Sequence, residues 1–200
     1  KKAALNCNEE FSFALVRPPG HHAGRNFFAG FCYINNIAFA TRALQKKEKG
    51  KKVMIIDIDF HFGNGTWDIF YDDKTVFYIS FHCDPTFAYP GTGFEDENTD
   101  HMINVTLKPN TSDEEYVEKF RENVTKYFKI FNPSYIGVSV GFDTYYLDPI
   151  AGLNIKNLKT YRKIGEIIKE LKKPTFCVLE GGYYLQHLGE IFLNFIDPFL

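Results

Sequence analysis

Cysteine is scarce in this chain. Four residues, Cys7, Cys32, Cys83 and Cys177, are scattered through 200 positions with no Cys-x-x-Cys pair. That excludes a thiolate zinc site and a small disulfide-built scaffold. Long apolar runs are missing too, none approaching the roughly 20 residues of a membrane helix. Neither sign of charge dominates: 23 Lys and Arg stand against 25 Asp and Glu, a net charge of −2. Bulk electrostatics therefore gives no pull toward nucleic acid or an anionic membrane, and neither partner is expected. The lysines at 46, 47, 49, 51 and 52 read as a solvated helix end. There is no internal repeat or low-complexity tract. No leader-like stretch opens the chain, whose first residues, Lys1-Lys2-Ala3-Ala4-Leu5, read as the tail of a helix. The cytoplasm is the expected compartment, or the nucleus in a eukaryote.

What the chain has is aromatic and aliphatic mass. With 44% hydrophobic and 24% charged residues it is expected to fold as one domain with a sizeable core. Val53-Met-Ile-Ile is a short β-branched run that reads as a buried strand. Further strands are expected at 12–16, 75–82, 103–107, 135–141 and 175–179. Helical spacing marks 33–48, 112–131, 157–171 and 185–196, with Ser112 as N-cap and Glu115 in the capping-box position. Two prolines and two glycines make 17–24 a loop, and 83–101 is a long loop of the kind that is usually functional. Apolar strands alternating with helices predict a parallel α/β sheet covered on both faces. Ligands of such sheets bind beyond the carboxyl ends of the strands, and the polar clusters sit there.

Asp57, Asp59 and His61 follow the 53–56 strand at alternate positions, so an extended chain aims all three the same way. Buried carboxylates and an imidazole on one side call for a partner, and a divalent metal is the simplest. A strand-end salt-bridge cluster is an equally good reading of one Asp-x-His alone. Asp143, after the 135–141 strand, offers a third ligand, although an Asp capping a turn is commoner. His21-His22 sits on a proline-stiffened loop suited to holding a general base, where an isolated pair is more often incidental. Asp57 is free to hydrogen-bond one of those imidazoles if Asp59 takes the metal. Two carboxylate ligands would neutralise a divalent ion, so its bound water would be less acidic than in an all-histidine site and would need that base. Tyr183, after Gly181-Gly182, is either an ordinary turn residue or an oxyanion donor. Gly63-Asn64-Gly65 is rejected as a phosphate loop, because no Lys follows and Asp57 and Asp59 repel phosphate.

Six stretches stand in one order: Arg17-Pro-Pro-Gly-His-His-Ala23, Gly30-Phe-Cys-Tyr-Ile-Asn-Asn36, Asp57-Ile-Asp-Phe-His61 with Gly63-Asn-Gly-Thr66, Tyr89-Pro-Gly-Thr-Gly93, Gly141-Phe-Asp143 with Asp148-Pro149, and Glu180-Gly-Gly-Tyr183. Together they resemble the zinc-dependent histone deacetylase superfamily, which includes acetylpolyamine amidohydrolases and acetoin-utilisation proteins. The resemblance spans roughly residues 12 to 187. It implies a three-layer arginase/deacetylase-like α/β fold with metal, Zn2+ or Fe2+, on Asp59, His61 and Asp143. It further implies His22 as general base and acid, His21 as its electrostatic partner paired with Asp57, and Tyr183 as oxyanion donor. Gly30, Phe31, Tyr89 and Gly182 map to substrate binding, Phe31 and Tyr89 as channel walls. A structural K+ would sit among Asp57, Asp59, His61, Ser80 and Phe81.

Three departures stand out. Phe62 replaces a second histidine usual in the family, for which altered packing is expected rather than lost activity. Trp67 stands where Gln or Glu is common. Family members are longer, so residues 1–200 are expected to be one catalytic domain lacking its usual N-terminal part, with the C-terminal end open as well. The expected activity is metal-dependent hydrolysis of an acetyl amide, on acetyl-lysine in protein or an acetylated polyamine, and a homo-oligomer is compatible with it. The alternatives are an arginase-like dimetal ureohydrolase and an inactive metal-binding fragment.

Overall fold

The computed structural model describes residues 1–7 and 11–200. In chain order the elements are α1 (Lys2–Asn6), β1 (Phe11–Ala14), α2 (Asn36–Lys47), β2 (Val53–Asp57), α3 (Asn64–Phe70), β3 (Val76–Cys83), β4 (Met102–Leu107), α4 (Asp113–Phe131), β5 (Tyr135–Val140), α5 (Lys159–Glu170), β6 (Thr175–Leu179) and α6 (Leu185–Ile196). The strands form one six-stranded sheet in the order β1-β6-β5-β2-β3-β4, with every pairing parallel.

The apolar strands are buried because both faces of the sheet are covered. Met54 and Ile56 of β2, with Ile136 and Val138 of β5, pack into a core shared with Phe120 of α4, Ile164 of α5 and Phe195 of α6. Val53 and Ile55 point the other way, joining Ala4 of α1, Ile37 and Leu44 of α2 and Phe70 of α3. The result is three layers, as the alternation of strands and helices predicts. Among the described residues no helix is long and apolar enough to cross a membrane.

Helix starts follow side-chain caps. The Asn35 Oδ1 accepts from the Ala38 N–H at 2.9 Å, so α2 begins at Asn36 rather than at 33. Ser112 caps α4 through the Glu115 N–H at 3.2 Å, while the Glu115 carboxylate turns to Lys119, 3.6 Å away. The expected strand at 12–16 is β1, one residue earlier, and its tail, Leu15 and Val16, is exposed loop. Helix α3 is an addition to the expected elements. Its seven residues include Gly65 and β-branched Thr66 and Ile69, so local propensity does not announce it.

Strand order makes the crevice. From β2 the chain proceeds outward to β3 and β4, then returns to β5 on the other side of β2 and continues to β6. The loops after β2 and β5 therefore diverge from neighbouring strands, which is the topological switch point where α/β sheets hold ligands.

Candidate active site

The ladder of β2 ends at Asp57, yet its alternation continues. Ile58 and Phe60 join the α4–α6 core, leaving Asp57, Asp59 and His61 on the opposite side. Each carboxylate also accepts the amide two residues on: Asp57 Oδ1 from Asp59 N at 3.2 Å, and Asp59 Oδ1 from His61 N at 2.9 Å. These local turns shape the bend that follows the strand.

His61 Nδ1 lies 3.1 Å from both Asp59 Oδ1 and Asp143 Oδ2. One donor atom from each of Asp59, His61 and Asp143 lies within 4.8 Å of the others. The remaining carboxylate oxygens are held from behind: Asp59 Oδ2 accepts from Gly181 N at 2.7 Å, and Asp143 Oδ1 from Phe60 N at 2.9 Å. Gly181 has no alternative, since a Cβ there would sit 2.5 Å from Asp143 Oδ2 and 2.6 Å from Asp59 Oδ2. Burial, and then the charge of Asp59, push Asp143 up to about 7. The two buried carboxylates outweigh the burial of His61 and raise it to about 10, so positive charge is favoured between them, and an O/O/N donor set suits a borderline divalent ion. The residues therefore fit the metal that the sequence predicts.

His21 and His22 lie with ring centroids 4.1 Å apart and their planes tilted by 47°, but their surroundings differ. His21 Nδ1 is 3.1 Å from Asp57 Oδ2, and its Nε2 is 3.6 Å from Asp59 Oδ1. Burial works against a charge on His21, but the two carboxylates outweigh it and hold the imidazole well above its usual range. His22 Nδ1 is 2.7 Å from the neutral Asn64 Oδ1. Burial, and then the charge of His21, bring His22 down to about 3. One ring is thus placed to stay cationic and its neighbour to stay neutral.

Tyr183 is held by its backbone and its face. Its N–H donates to Asp148 Oδ2 at 2.6 Å, and the Arg17 guanidinium lies 5.3 Å from its ring centroid. Burial, and then the charges of Asp59 and Asp143, push its phenol above its ordinary value, so the hydroxyl stays protonated as a donor.

These groups open onto a cavity of about 240 Å³ with His21, His22, Asp59 and His61 at its floor and Gly30, Phe31, Tyr89, Ile150 and Tyr183 among its walls. Gly30 meets the His22 ring so closely that a Cβ would overlap it, and its φ of +52° suits glycine. Gly182 is not among the lining residues; its neighbour Gly181 is, while the Gly182 carbonyl accepts from Arg17. Ser80, assigned with Phe81 to a potassium site, pairs in register with Asp57, and its hydroxyl is 2.8 Å from His82 Nδ1. Phe81 is buried in the core.

Sequence reasoning named no role for Asn64, Tyr78, Glu180 or the Arg17 side chain. Tyr78, fully buried, donates to Asp57 Oδ2 at 2.9 Å. Asn64 lies inside Gly-Asn-Gly, three residues beyond His61. Its side chain faces His22, not the helix it opens.

A parallel three-layer α/β sheet with a buried Asp-His-Asp centre and paired histidines at its switch point defines the class. Residues 2–198 match the histone deacetylase domain model, and the chain belongs to that family. It is 37% identical to a probable deacetylase of Archaeoglobus fulgidus over 92% of this chain and 53% of that protein. It is 39% identical to the chloroplastic histone deacetylase 10 of Oryza sativa subsp. japonica, over 94% of this chain and 44% of that protein. The crystal structure of an acetylpolyamine aminohydrolase from Burkholderia pseudomallei superposes with a TM-score of 0.90 at 33% identity, covering 98% of this chain and 59% of that one. The chain spans about half the length of the curated relatives it matches.

Proposed function

We propose that the protein hydrolyses an acetyl amide, with a divalent metal held by Asp59, His61 and Asp143. The observation that carries this reading is convergence: donor atoms of Asp59, His61 and Asp143 lie within 4.8 Å of one another, and Asp59, His61, the neutral His22 and Tyr183 line one cavity of about 240 Å³. Bound there, the ion supplies Lewis acidity toward the amide carbonyl and toward the attacking water. Zinc suits the donor set, and ferrous iron is the alternative metal.

With its Nδ1 proton directed at Asn64, His22 presents Nε2 to take the proton of the attacking water and later return it to the leaving amine. His21, kept charged by Asp57 and Asp59, places a fixed positive charge beside the developing negative charge. The Tyr183 hydroxyl donates to the developing oxyanion. Phe31 and Tyr89 flank the acylated chain, and Gly30 offers its carbonyl to the substrate amide. The backbone around Asp57, Asp59 and His61, with Ser80 and Phe81, is assigned to K+ through the family resemblance.

The substrate class is an N-acetylated amine, acetyl-lysine or an acetylated polyamine. Relatives carrying each name resemble this chain. An arginase-like reaction needs a second ion. Among the described residues Asp59, His61 and Asp143 are the one group of three clustered metal-ligating side chains, which weighs against it. The test is turnover of an acetyl-lysine peptide and an acetylpolyamine by the zinc-loaded chain. Tyr183→Phe should keep its zinc and lose about 100-fold or more in kcat. Full activity in that variant sinks the oxyanion role. Bound zinc without turnover on either amine sinks the hydrolase reading and favours the inactive metal-binding fragment.

A further inference from the structure

Arg17 follows β1 and Glu180 follows β6, two adjacent parallel strands whose last ladder pair is Ala14 with Val178. Beyond that pair the chains separate into the loop carrying His21-His22 and the loop carrying Gly181-Gly182-Tyr183. Four bonds reconnect them, and their pattern is reciprocal. From the first loop, Arg17 NH1 donates to the Glu180 carbonyl at 2.6 Å and NH2 to the Gly182 carbonyl at 2.7 Å. From the second, Glu180 Oε2 accepts from Gly20 N at 2.6 Å and from His21 N at 3.0 Å. The side chain of each loop grips the backbone of the other.

The fork of Arg17 straddles Gly181, whose own N–H is committed to Asp59. Its guanidinium then reaches the face of Tyr183. Glu180 is fully buried, and its other oxygen accepts from Ser139 Oγ of β5 at 3.2 Å, which anchors the grip to the sheet. Charge-assisted, bidentate contacts of this kind fix direction as well as distance.

We propose that Arg17 and Glu180 act as a reciprocal clamp that makes the two loops move as one unit and so sets the spacing between His22 and Tyr183. Neither is a catalytic residue; both are positioning residues. The clamp itself stands on the four bonds, and its effect on turnover rests on the deacetylase reading above. A simple brace for the fold would stabilise the chain without coupling the loops. A clamp transmits the loss of one side to the other.

The full chain is the material, as wild type, Arg17→Ala, Arg17→Lys and Glu180→Gln. Gln keeps an acceptor oxygen for the Gly20 and His21 amides, and Lys keeps the charge without the fork. Zinc stoichiometry and thermal unfolding come first, then amide hydrogen exchange by segment, then steady-state kinetics on an acetyl-lysine peptide. Arg17→Ala should bind zinc as wild type does. It should exchange faster in both 20–22 and 181–184 while the strands stay protected. Its kcat should fall about 10- to 100-fold with KM within about twofold, because misplacement of about 1 Å suffices for such a loss. Arg17→Lys should recover part of that loss, and Glu180→Gln should stay near wild type in exchange at both loops. Faster exchange confined to 181–184, or spread evenly over the sheet, overturns the clamp. So does an unchanged kcat in Arg17→Ala beside an active wild type. A wild type without turnover defeats the deacetylase reading instead, and the exchange pattern then still decides the coupling of the loops.

Discussion

The Nδ1 of His22 sits 2.7 Å from the Oδ1 of Asn64. An amide oxygen only accepts, so the imidazole carries its proton on Nδ1 and leaves the Nε2 lone pair to the cavity. The neutral partner also leaves the ring without a hydrogen-bonded carboxylate that would favour its charged form. Asn64→Asp supplies one. His22 then keeps its proton to higher pH, and the acidic limb of the kcat/KM profile, where the base must be neutral, moves upward. Asn64→Ala removes the orientation and a hydrogen bond that favours the charged ring, so kcat should fall by about tenfold or more and the limb should not move upward. A limb that moves downward in Asn64→Asp contradicts the pairing.

The metal assignment predicts a change in stability that needs no substrate. Zinc at about 100 times its dissociation constant should raise unfolding stability by about 2.7 kcal/mol. Asp143→Asn withdraws one ligand and leaves Asp59 and His61, so most of that gain should vanish. Thermal unfolding with zinc and with a chelator measures both. An equal zinc-induced shift in wild type and Asp143→Asn removes Asp143 from the site.

Glu180 gives stability a pH dependence of definite sign. Burial comes first among the causes that push its carboxyl from its ordinary 4.5 up to about 7. The native state thus binds a proton that the unfolded chain has already released in this interval. The contribution is complete below pH 4.5 and is lost as pH rises through about 7. Glu180→Gln removes the titration while keeping an acceptor for Gly20 and His21. Urea unfolding at pH 5 and pH 8 should show a smaller decline in the variant than in wild type. An equal decline places the titration elsewhere.

Phe62 stands where the family resemblance leads one to expect a second histidine, and its surroundings say what the ring does there. The ring lies 5.0 Å from His82 and 5.5 Å from Trp67, centroid to centroid, and is almost fully buried. Gly93 comes so close that a Cβ there would be 2.5 Å from the Phe62 Cγ. His82 in turn is 2.9 Å from the Gly93 carbonyl through Nε2, so the aromatic group supports the loop that carries Tyr89. Phe62→Ala should cost about 3–5 kcal/mol in denaturant unfolding. Its zinc stoichiometry should stay unchanged, because Asp59, His61 and Asp143 keep their own supports. A loss under 1 kcal/mol, on the order of an exposed substitution, refutes the packing role.

Much of this layout is legible from residue types. Val53–Ile56 announces a buried strand, and the alternation that puts Ile58 and Phe60 in the core leaves Asp57, Asp59 and His61 together even past the last ladder pair. The strands end where polar clusters begin, so the edge that carries the site can be read directly. Strand order cannot, because β-branched runs do not encode which neighbour they pair with. Arg17 and Glu180 stayed silent for a related reason. Their partners are backbone amides and carbonyls some 160 positions away, and a backbone group has no residue-type signature. Helix α3 was hidden by glycine and β-branched residues that tertiary packing overrides.

Neighbouring strands β2 and β5 have far more consequence for one another than their adjacency suggests. His61 and Asp143 are 82 positions apart, and α3, β3, β4, α4 and β5 are all strung on the stretch between them. An ion held from both ends, as proposed, would close a long loop. Long loops are the ones whose cross-linking removes the most freedom from an unfolded chain. The centre that we assign to chemistry would then also be a removable clasp on that stretch of 82 positions. Starved of metal, the chain would present that stretch more readily to a protease than any single lost hydrogen bond could explain.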